Sequence, residues 1–320
     1  MLTDHLNTTK SKLAKQIGKR GVMEVLGDMQ LLVGPPEQLC ISNAALMMFC
    51  EHLDKFFPYT QVEITKFPEG SIKNPNNFIE VPVIKGSVPT MIKRTMEKLQ
   101  DMVIEEKVTK VDYQMEAIRR YSYPYQALEE AVVNAFYHRD YQSYQAIIIE
   151  IEPDCVRIIS YPGIDRSISK KTIAEGERFK SRYYRNKRLG EFLKELDLTE
   201  GKSTGIPTIQ EELRDNGSPK ATFETDDERR AVTVEIPIHP DFLMEQGEPQ
   251  NEPQNEPQNA TSVEDAILQL IRMNKYVTRE EMASQIEVSL STVKRSINKL
   301  KTSGIIEYEG PSKGGYWSIK

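Results

Sequence analysis

Residues 247 to 259 read GEPQNEPQNEPQN, three copies of Glu-Pro-Gln-Asn that no continuous fold can absorb. Proline at every fourth position removes a backbone donor and clashes with a preceding helical turn, while the repeated glutamates stay solvated. The expected state is a semi-extended tether over residues 246–261. A chain of 320 residues is therefore read as parts that fold separately, one ending near residue 245 and one beginning at 262.

After the tether come three short amphipathic segments, SVEDAILQLIRMNK, TREEMASQI and SLSTVKRSINKLKTSG, each opened by a Ser or Thr able to cap a helix. Thr278 followed by Glu281 is a capping-box spacing, and Ser289 opens the third segment without the acidic partner. The closing GIIEYEGPSKGGYWSIK alternates apolar and polar residues about a Gly-Pro-Ser-Lys-Gly-Gly turn, the pattern of a β-hairpin. Three helices and a hairpin predict a winged helix-turn-helix over 262–320.

In its third helix Leu290, Val293, Ile297 and Leu300 form the buried stripe. Ser291, Thr292, Arg295 and Asn298 are left outward, with Lys294, Lys299 and Lys301 at the flanks. Short hydroxyls, Arg and Asn are the side chains that reach base edges in a major groove, and lysines neutralise phosphates, so double-stranded DNA is the expected partner. Lys313 in the hairpin adds an expected backbone contact. Protein contact is the alternative use of the same surface. The segment holds nine Lys and Arg against seven Asp and Glu, a balance of +2, which leaves −8 on the rest of a chain whose net charge is −6. Attraction to nucleic acid must then be local.

The remaining composition narrows the classes further. No apolar run approaches the roughly 18 residues that span a bilayer, and MLTDHLNTTKSK lacks the hydrophobic region of a signal peptide, so no membrane partner and a cytoplasmic location are expected. Cys40, Cys50 and Cys155 are scattered without a C-x-x-C or a histidine at ligand spacing, which argues for core filler rather than zinc, haem or disulfides.

Upstream of the tether the chain reads as α+β. Residues 1–33 have a helical pattern and NAALMMFCEHL is a second helix. QVEITKF and NFIEVPVIKG are strands, and TMIKRTMEKLQDMVIEEK is a long helix. From Tyr123 the order is helix QALEEAVVNAFYHR, strands QAIIIEIE and CVRIISY, a glycine turn, a basic stretch, a helix, the loop GKSTGIP, another helix, and strands KATFET and RAVTVEIPI. That order predicts a sheet with helices on one face.

Two motifs carry chemistry. Gly201-Lys202-Ser203-Thr204 ends like a phosphate-binding P-loop, but Leu196 stands where the first glycine belongs and helical rather than strand spacing precedes it, so a Walker-type ATPase is rejected. Glu130 and Asn134, four residues apart, share one helix face. An Asn oxygen can ligate the magnesium of a bound phosphate and a Glu can activate the attacking water. A surface Glu beside a helix-interior Asn is the bland alternative.

YPYQALEEAVVNAFYHRDY followed in order by SYPG, RN and GKSTGIP resembles the GHKL group of ATP-binding domains, the fold of gyrase, MutL and histidine kinases. More narrowly it is similar to the GHKL-like domain of bacterial Schlafen AlbA-containing, RecG C-terminal-related transcriptional regulators, which commonly end in a helix-turn-helix. The resemblance implies an α+β chain: a GHKL-like α/β sandwich domain over 123–245, an N-terminal α+β region over 1–122 packing on it, and a tethered winged helix-turn-helix. It implies Mg-ATP as cofactor, and the DNA-binding winged helix is expected to act as a homodimer. Asn134 becomes the magnesium ligand, Glu130 the candidate base of a weak hydrolysis, and Gly163 the first glycine box. Gly201, Lys202, Ser203, Thr204 and Gly205 become the second, its backbone N–H groups meeting phosphate at a helix N-terminus. The group's adenine-binding Asp is missing from Ser160-Tyr161-Pro162-Gly163, with Asp165 the nearest carboxylate. An AlbA-type domain, with which members begin, is not recognised in the sequence. No helicase activity is implied. A GHKL-type ATPase acting on a partner or in a defence response, and a scaffold without ligand, are the alternatives to a regulator.

Two further clusters are ambiguous. His138-Arg139-Asp140-Tyr141 is read as a hydrogen-bonded helix end. KSRYYRNKR, residues 180–188, fits a lid over phosphates, a nucleic-acid surface or a solvated loop.

Overall fold

The computed structural model describes residues 1–110, 117–176, 184–199, 205–243, 263–286, 288, 290–302, 304–309 and 315–319. The chain divides into two compact units, Met1–Pro249 and Gln250–Lys320. The predicted tether at 246–261 lies outside the described residues.

The first unit begins with α1 (Leu2–Thr8), a 3₁₀ turn and α2 (Val22–Asp28). A short antiparallel pair follows, β1 (Leu32–Val33) with β2 (Cys40–Ile41), and then α3 (Asn43–Phe49). Leu32 and Val33, expected at the end of a helical stretch, are thus paired strand residues. Next come β3 (Val62–Lys66), β4 (Ile79–Glu80) and α4 (Val88–Val103). Of NFIEVPVIKG, Ile79 and Glu80 form the strand that pairs with β3, and Ile84 adds an isolated antiparallel bridge to Val62.

The long helix stops at Val103 rather than running on to Lys107, because the Ser122 hydroxyl takes over its terminus. It donates to the Val103 carbonyl at 2.6 Å and accepts from the Glu105 N–H at 2.8 Å. Glu106 and Lys107 instead open a hairpin that the sequence did not signal, β5 (Glu106–Thr109) with β6 (Ile118–Tyr121).

The centre of the unit is α5 (Tyr125–His138), β7 (Ile147–Ile151) and β8 (Cys155–Ser160). It continues through α6 (Lys170–Ala174), α7 (Lys187–Glu195), α8 (Gly205–Asn216), β9 (Thr222–Thr225), β10 (Val232–Pro237) and α9 (Pro240–Leu243). Six strands form one mixed sheet in the order β4-β3-β7-β8-β10-β9. All pairs are antiparallel except β3 with β7, where Val62 faces Ile147 and Lys66 faces Ile151.

Strand alternation puts Ile147, Ile149, Ile151, Val156 and Ile158 into the core, against which α5 packs with α4 and α8 beside it. The opposite sheet face carries Arg157, which reaches Glu150 at 3.0 Å, Glu152 at 3.4 Å and Glu235 at 3.2 Å. α5 is apolar on nearly every side, with Leu128, Val132 and Phe136 fully enclosed. Its line Glu130, Asn134, His138, at a spacing of four, is only half-buried. Tyr125 and Gln126 are exposed and Glu129 half-buried near the start of the helix; beyond them that line is its polar stripe.

The second unit has α10 (Val263–Met273), α11 (Arg279–Ile286), α12 (Leu290–Thr302) and an antiparallel hairpin, β11 (Ile306–Glu309) with β12 (Tyr316–Ile319). The capping box forms: the Thr278 N–H donates to Glu281 at 2.8 Å, and the Glu281 N–H donates to the Thr278 hydroxyl at 3.2 Å. Ile267, Ile271, Met282, Val293, Ile297, Leu300 and Trp317 make the core.

Candidate functional site

A cavity of about 160 Å³ opens along the polar stripe of α5. Glu130, Asn134 and His138 form one wall. The sheet supplies Ile158, Phe223, Val232 and Val234, the turn after β8 supplies Pro162, Gly163, Ile164 and Asp165, and Gly205 and Ile206 close it from the start of α8. The wall is thus mostly apolar, with Glu130 and Asn134 together on α5 and Asp165 in the turn after β8.

The Asn134 Nδ2 donates to Glu130 Oε1 at 3.0 Å. Gly205, the first residue of α8, rests against this pair: a Cβ there would overlap the Glu130 carboxylate and stand 2.5 Å from Asn134 Nδ2. Only glycine lets the start of α8 come this close. The partial positive charge of a helix N-terminus favours the nearby carboxylate. The structure therefore brings Glu130, Asn134, Gly163 and Gly205 to one cavity, while Gly201, Lys202, Ser203 and Thr204 lie outside the described residues.

Gly163 has a different reason for being glycine. Its N–H donates to the Arg229 carbonyl at 3.0 Å, and a Cβ would meet the Thr225 hydroxyl and stand 2.6 Å from the Ala231 carbonyl. The strands β9 and β10 occupy the space of the missing side chain, so packing alone demands glycine here. Asp165, two residues past Gly163, in contrast stands in the cavity wall. Hydrogen bonds from Ser167 hold its carboxyl below the usual range, which keeps it ionised and a strong acceptor.

The far end of the cavity is aromatic. The rings of Tyr137 and Tyr184 stack at 5.3 Å and 8°, and His138 lies 6.0 Å from Tyr184. Burial, reinforced by Arg185, pushes the His138 imidazole down to about 4, so it is neutral at physiological pH. The predicted helix end takes a specific form. Tyr141 donates to the Phe136 carbonyl at 2.9 Å, and buried Arg139 donates to the Gln145 carbonyl at 2.7 Å with its guanidinium over the Tyr141 ring. Asn186, second residue of the RN pair, donates its amide to the carbonyls of Tyr137 and Arg139 at 2.9 and 2.8 Å. It caps the last turn of α5 and anchors the end of the basic run; residues 180–183 of that run lie outside the described residues.

Among the described residues no group of three or more His, Cys, Asp or Glu side chains converges on a metal position. No helix among them is long and apolar enough to cross a membrane.

On α12, Val293, Ile297 and Leu300 are buried and Lys294, Arg295, Asn298 and Lys299 exposed, with Thr292 half-buried. The side chain of Ser291 and all of Lys313 lie outside the described residues. Ser296, on the flank of the buried stripe, is buried as well.

The family model described as "Putative ATP-dependent DNA helicase recG C-terminal" matches residues 145–235, and the one described as "HTH domain" matches residues 263–316. No curated protein matches. The crystal structure of the DIP2311 protein from Corynebacterium diphtheriae is similar, with a TM-score of 0.54 and 16% identity. The likeness covers 99% of this chain and 61% of that one, and is one of fold. A domain similar to an ATPase joined to a helix-turn-helix suggests a DNA-binding regulator. The chain carries a RecG C-terminal-like domain followed by a C-terminal helix-turn-helix domain, consistent with the AlbA- and RecG-C-related regulators its sequence resembles.

Proposed function

We propose that this protein is a cytoplasmic transcriptional regulator whose first unit binds Mg-ATP and whose second unit binds duplex DNA. The observation that carries the nucleotide half is the Glu130–Asn134 pair set against Gly205 at the start of α8, inside a cavity with apolar walls and an ionised Asp165. The residues fit the group. The Asn134 amide oxygen would ligate magnesium, with most of the ion's remaining ligands from phosphate and water. The N–H groups at the start of α8 would face phosphate. Ile158, Ile164 and Val234 offer apolar contact to a base, and Asp165 an acceptor for an exocyclic amino group.

Bound ATP supplies a phosphoanhydride open to attack by water. Glu130 is the base for that water, and its place beside Asn134 keeps it within reach of the metal ligand. Hydrolysis serves here to end a ligand-bound state. Dimerisation of the first units is part of the same reading.

Thermal shift of the full chain with Mg-ATP, Mg-ADP and Mg-GTP tests it. Mg-ATP should raise the melting temperature of the parent, Asn134→Ala should abolish the rise, and Glu130→Gln should keep the rise while removing turnover. The absence of a shift with any of the three would sink the nucleotide half. It would favour a second reading, suggested by the hydrogen bond that Glu130 and Asn134 make to each other, in which the pair simply closes the end of α8.

A further inference from the structure

Five residues of the cavity wall, Pro162, Gly163, Ile164, Asp165 and Ile168, come from the single turn after β8. Within it the Asp165 carboxylate accepts from the Ser167 N–H at 2.8 Å and the Asp165 carbonyl from the Ile168 N–H at 3.1 Å. Among the described residues, the hydrogen bonds that residues 163–168 make to the rest of the chain all go to residues 226–231, the turn between β9 and β10. That second turn is no part of the cavity wall.

Arg229 makes the two bonds that matter most. Its carbonyl accepts from the Gly163 N–H at 3.0 Å, and its Nη2 donates to the Ile168 carbonyl at 2.7 Å. One residue thus holds both ends of the turn, with Asp165 between them. Arg166 adds a bond to the Glu228 carbonyl at 3.1 Å and Lys170 pairs with Asp227, but these rely on exposed side chains and hold weakly. The clasp itself is well tied. The Asp226 carboxylate accepts from the N–H groups of Arg230 at 2.6 Å and Ala231 at 3.3 Å, and the Thr225 hydroxyl donates to the Ala231 carbonyl at 2.7 Å.

Arg229 has a φ of +57°, the left-handed region that glycine enters freely and other residues only at a cost. Glycine would close this turn more easily, so the arginine points to a use for its side chain. The bond to the Ile168 carbonyl is that use; Nη1 is buried without a hydrogen-bond partner among the described residues. For a carboxylate that reads a base, position matters as much as charge. Adenine presents an amino group where guanine presents a carbonyl, yet guanine carries N–H donors on an adjoining edge. A fixed carboxylate meets the adenine donor and opposes the guanine carbonyl, whereas a mobile one can turn to either base.

We propose that Arg229 is a positioning residue for base selection: by bracketing residues 163–168 it fixes Asp165 where the carboxylate accepts from the amino group of adenine, and so sets a preference for Mg-ATP over Mg-GTP. The inference rests on the reading of the cavity as a nucleotide site. Arg229 itself touches neither base nor phosphate; it acts through the turn.

Calorimetric titration of the full chain with Mg-ATP and with Mg-GTP is the test. In the parent the Kd for Mg-GTP should exceed that for Mg-ATP by about tenfold or more, the worth of one hydrogen bond to a charged group. Arg229→Met keeps the stem and removes the donors; it should lower that ratio by about threefold or more, half of the bond on a logarithmic scale, by weakening Mg-ATP alone. Arg229→Gly suits the left-handed backbone and should give the same result should the Met variant fold poorly. In an Asp165→Ala background, where the preference is already gone, Arg229→Met should change the ratio no further. Equal weakening of both nucleotides, or an unchanged ratio, in the Arg229 variants would overturn the proposal, as would an Asp165→Ala variant that keeps the preference. A parent that binds both nucleotides equally would overturn it while leaving the nucleotide site standing, and a parent that binds neither would overturn both.

Discussion

Gly190 lies in the interior of α7, where helix propensity alone favours alanine by about 1 kcal/mol. The structure predicts the opposite sign. A Cβ at Gly190 would overlap Cζ, Oη and Cε2 of Tyr137, whose ring is 5% exposed and stacked on Tyr184. Restoring an ordinary carbon separation of about 3.5 Å needs a ring displacement of more than about 1 Å. That shift must come from a ring held in a stack, and overpacking of this kind costs about 1–3 kcal/mol, occasionally more. With the propensity gain set against it, Gly190→Ala should destabilise the first unit by up to about 2 kcal/mol, or up to about 8 °C for a unit of this size. Calorimetry or far-ultraviolet dichroism is the assay, since this unit contains no tryptophan. In a Tyr137→Leu background, where no ring stands in the way, the same substitution should be neutral or stabilising. Equal destabilisation in both backgrounds would refute the steric argument, and a higher melting temperature for the single variant would refute it outright.

Three further outcomes follow from the geometry. His138 is buried neutral with its pKa lowered to about 4 from 6.5, so the unfolded chain binds more protons between those values and stability falls as pH falls through that window. His138→Phe should flatten this part of the pH–Tm profile, leaving the parts due to His5 and His239, whose pKa values burial also lowers. Arg157→Met leaves Glu150, Glu152 and Glu235 facing one another without their common cation. It should cost about 2 kcal/mol by urea denaturation, and less at about 1 M salt. Arg295→Ala should relax sequence preference in a binding-site selection and cost about 1–3 kcal/mol on the preferred duplex, whereas loss of a phosphate contact weakens all sequences alike.

Much of the fold is legible in the sequence because its elements carry strong local patterns. Ile147, Ile149 and Ile151 alternate, and Val293, Ile297 and Leu300 recur at helical spacing, so β7 and α12 could be placed directly. Glu106 and Lys107 could not, since two charged residues after a charged amphipathic helix look like its continuation; what ends the helix is a hydroxyl 19 residues beyond Val103, at Ser122. The candidate site divides in the same way. The spacing of Glu130 and Asn134 gave their shared face, and Gly205 stands against that face as the order of motifs implied. Nothing local distinguishes a glycine that meets phosphate from one like Gly163 that makes room for a neighbouring strand. Nor does spacing reveal that Asp165 reaches the cavity wall, because that depends on contacts between distant segments.

The parallel pairing of β3 with β7 has a consequence for synthesis. Strand β3 leaves the ribosome long before Ile147–Ile151, the neighbour that fills its inner edge, and β8 and β10 come later still. Until then Val62 and Ile64 belong to an unfinished sheet whose open edge is a template for wrong partners. Helices α1 to α4 are available early to cover that surface, so the nascent chain must wait in a partly helical form and close its sheet only once Pro237 has emerged. A pause or truncation between residues 66 and 147 should therefore produce an aggregating intermediate rather than a smaller stable domain.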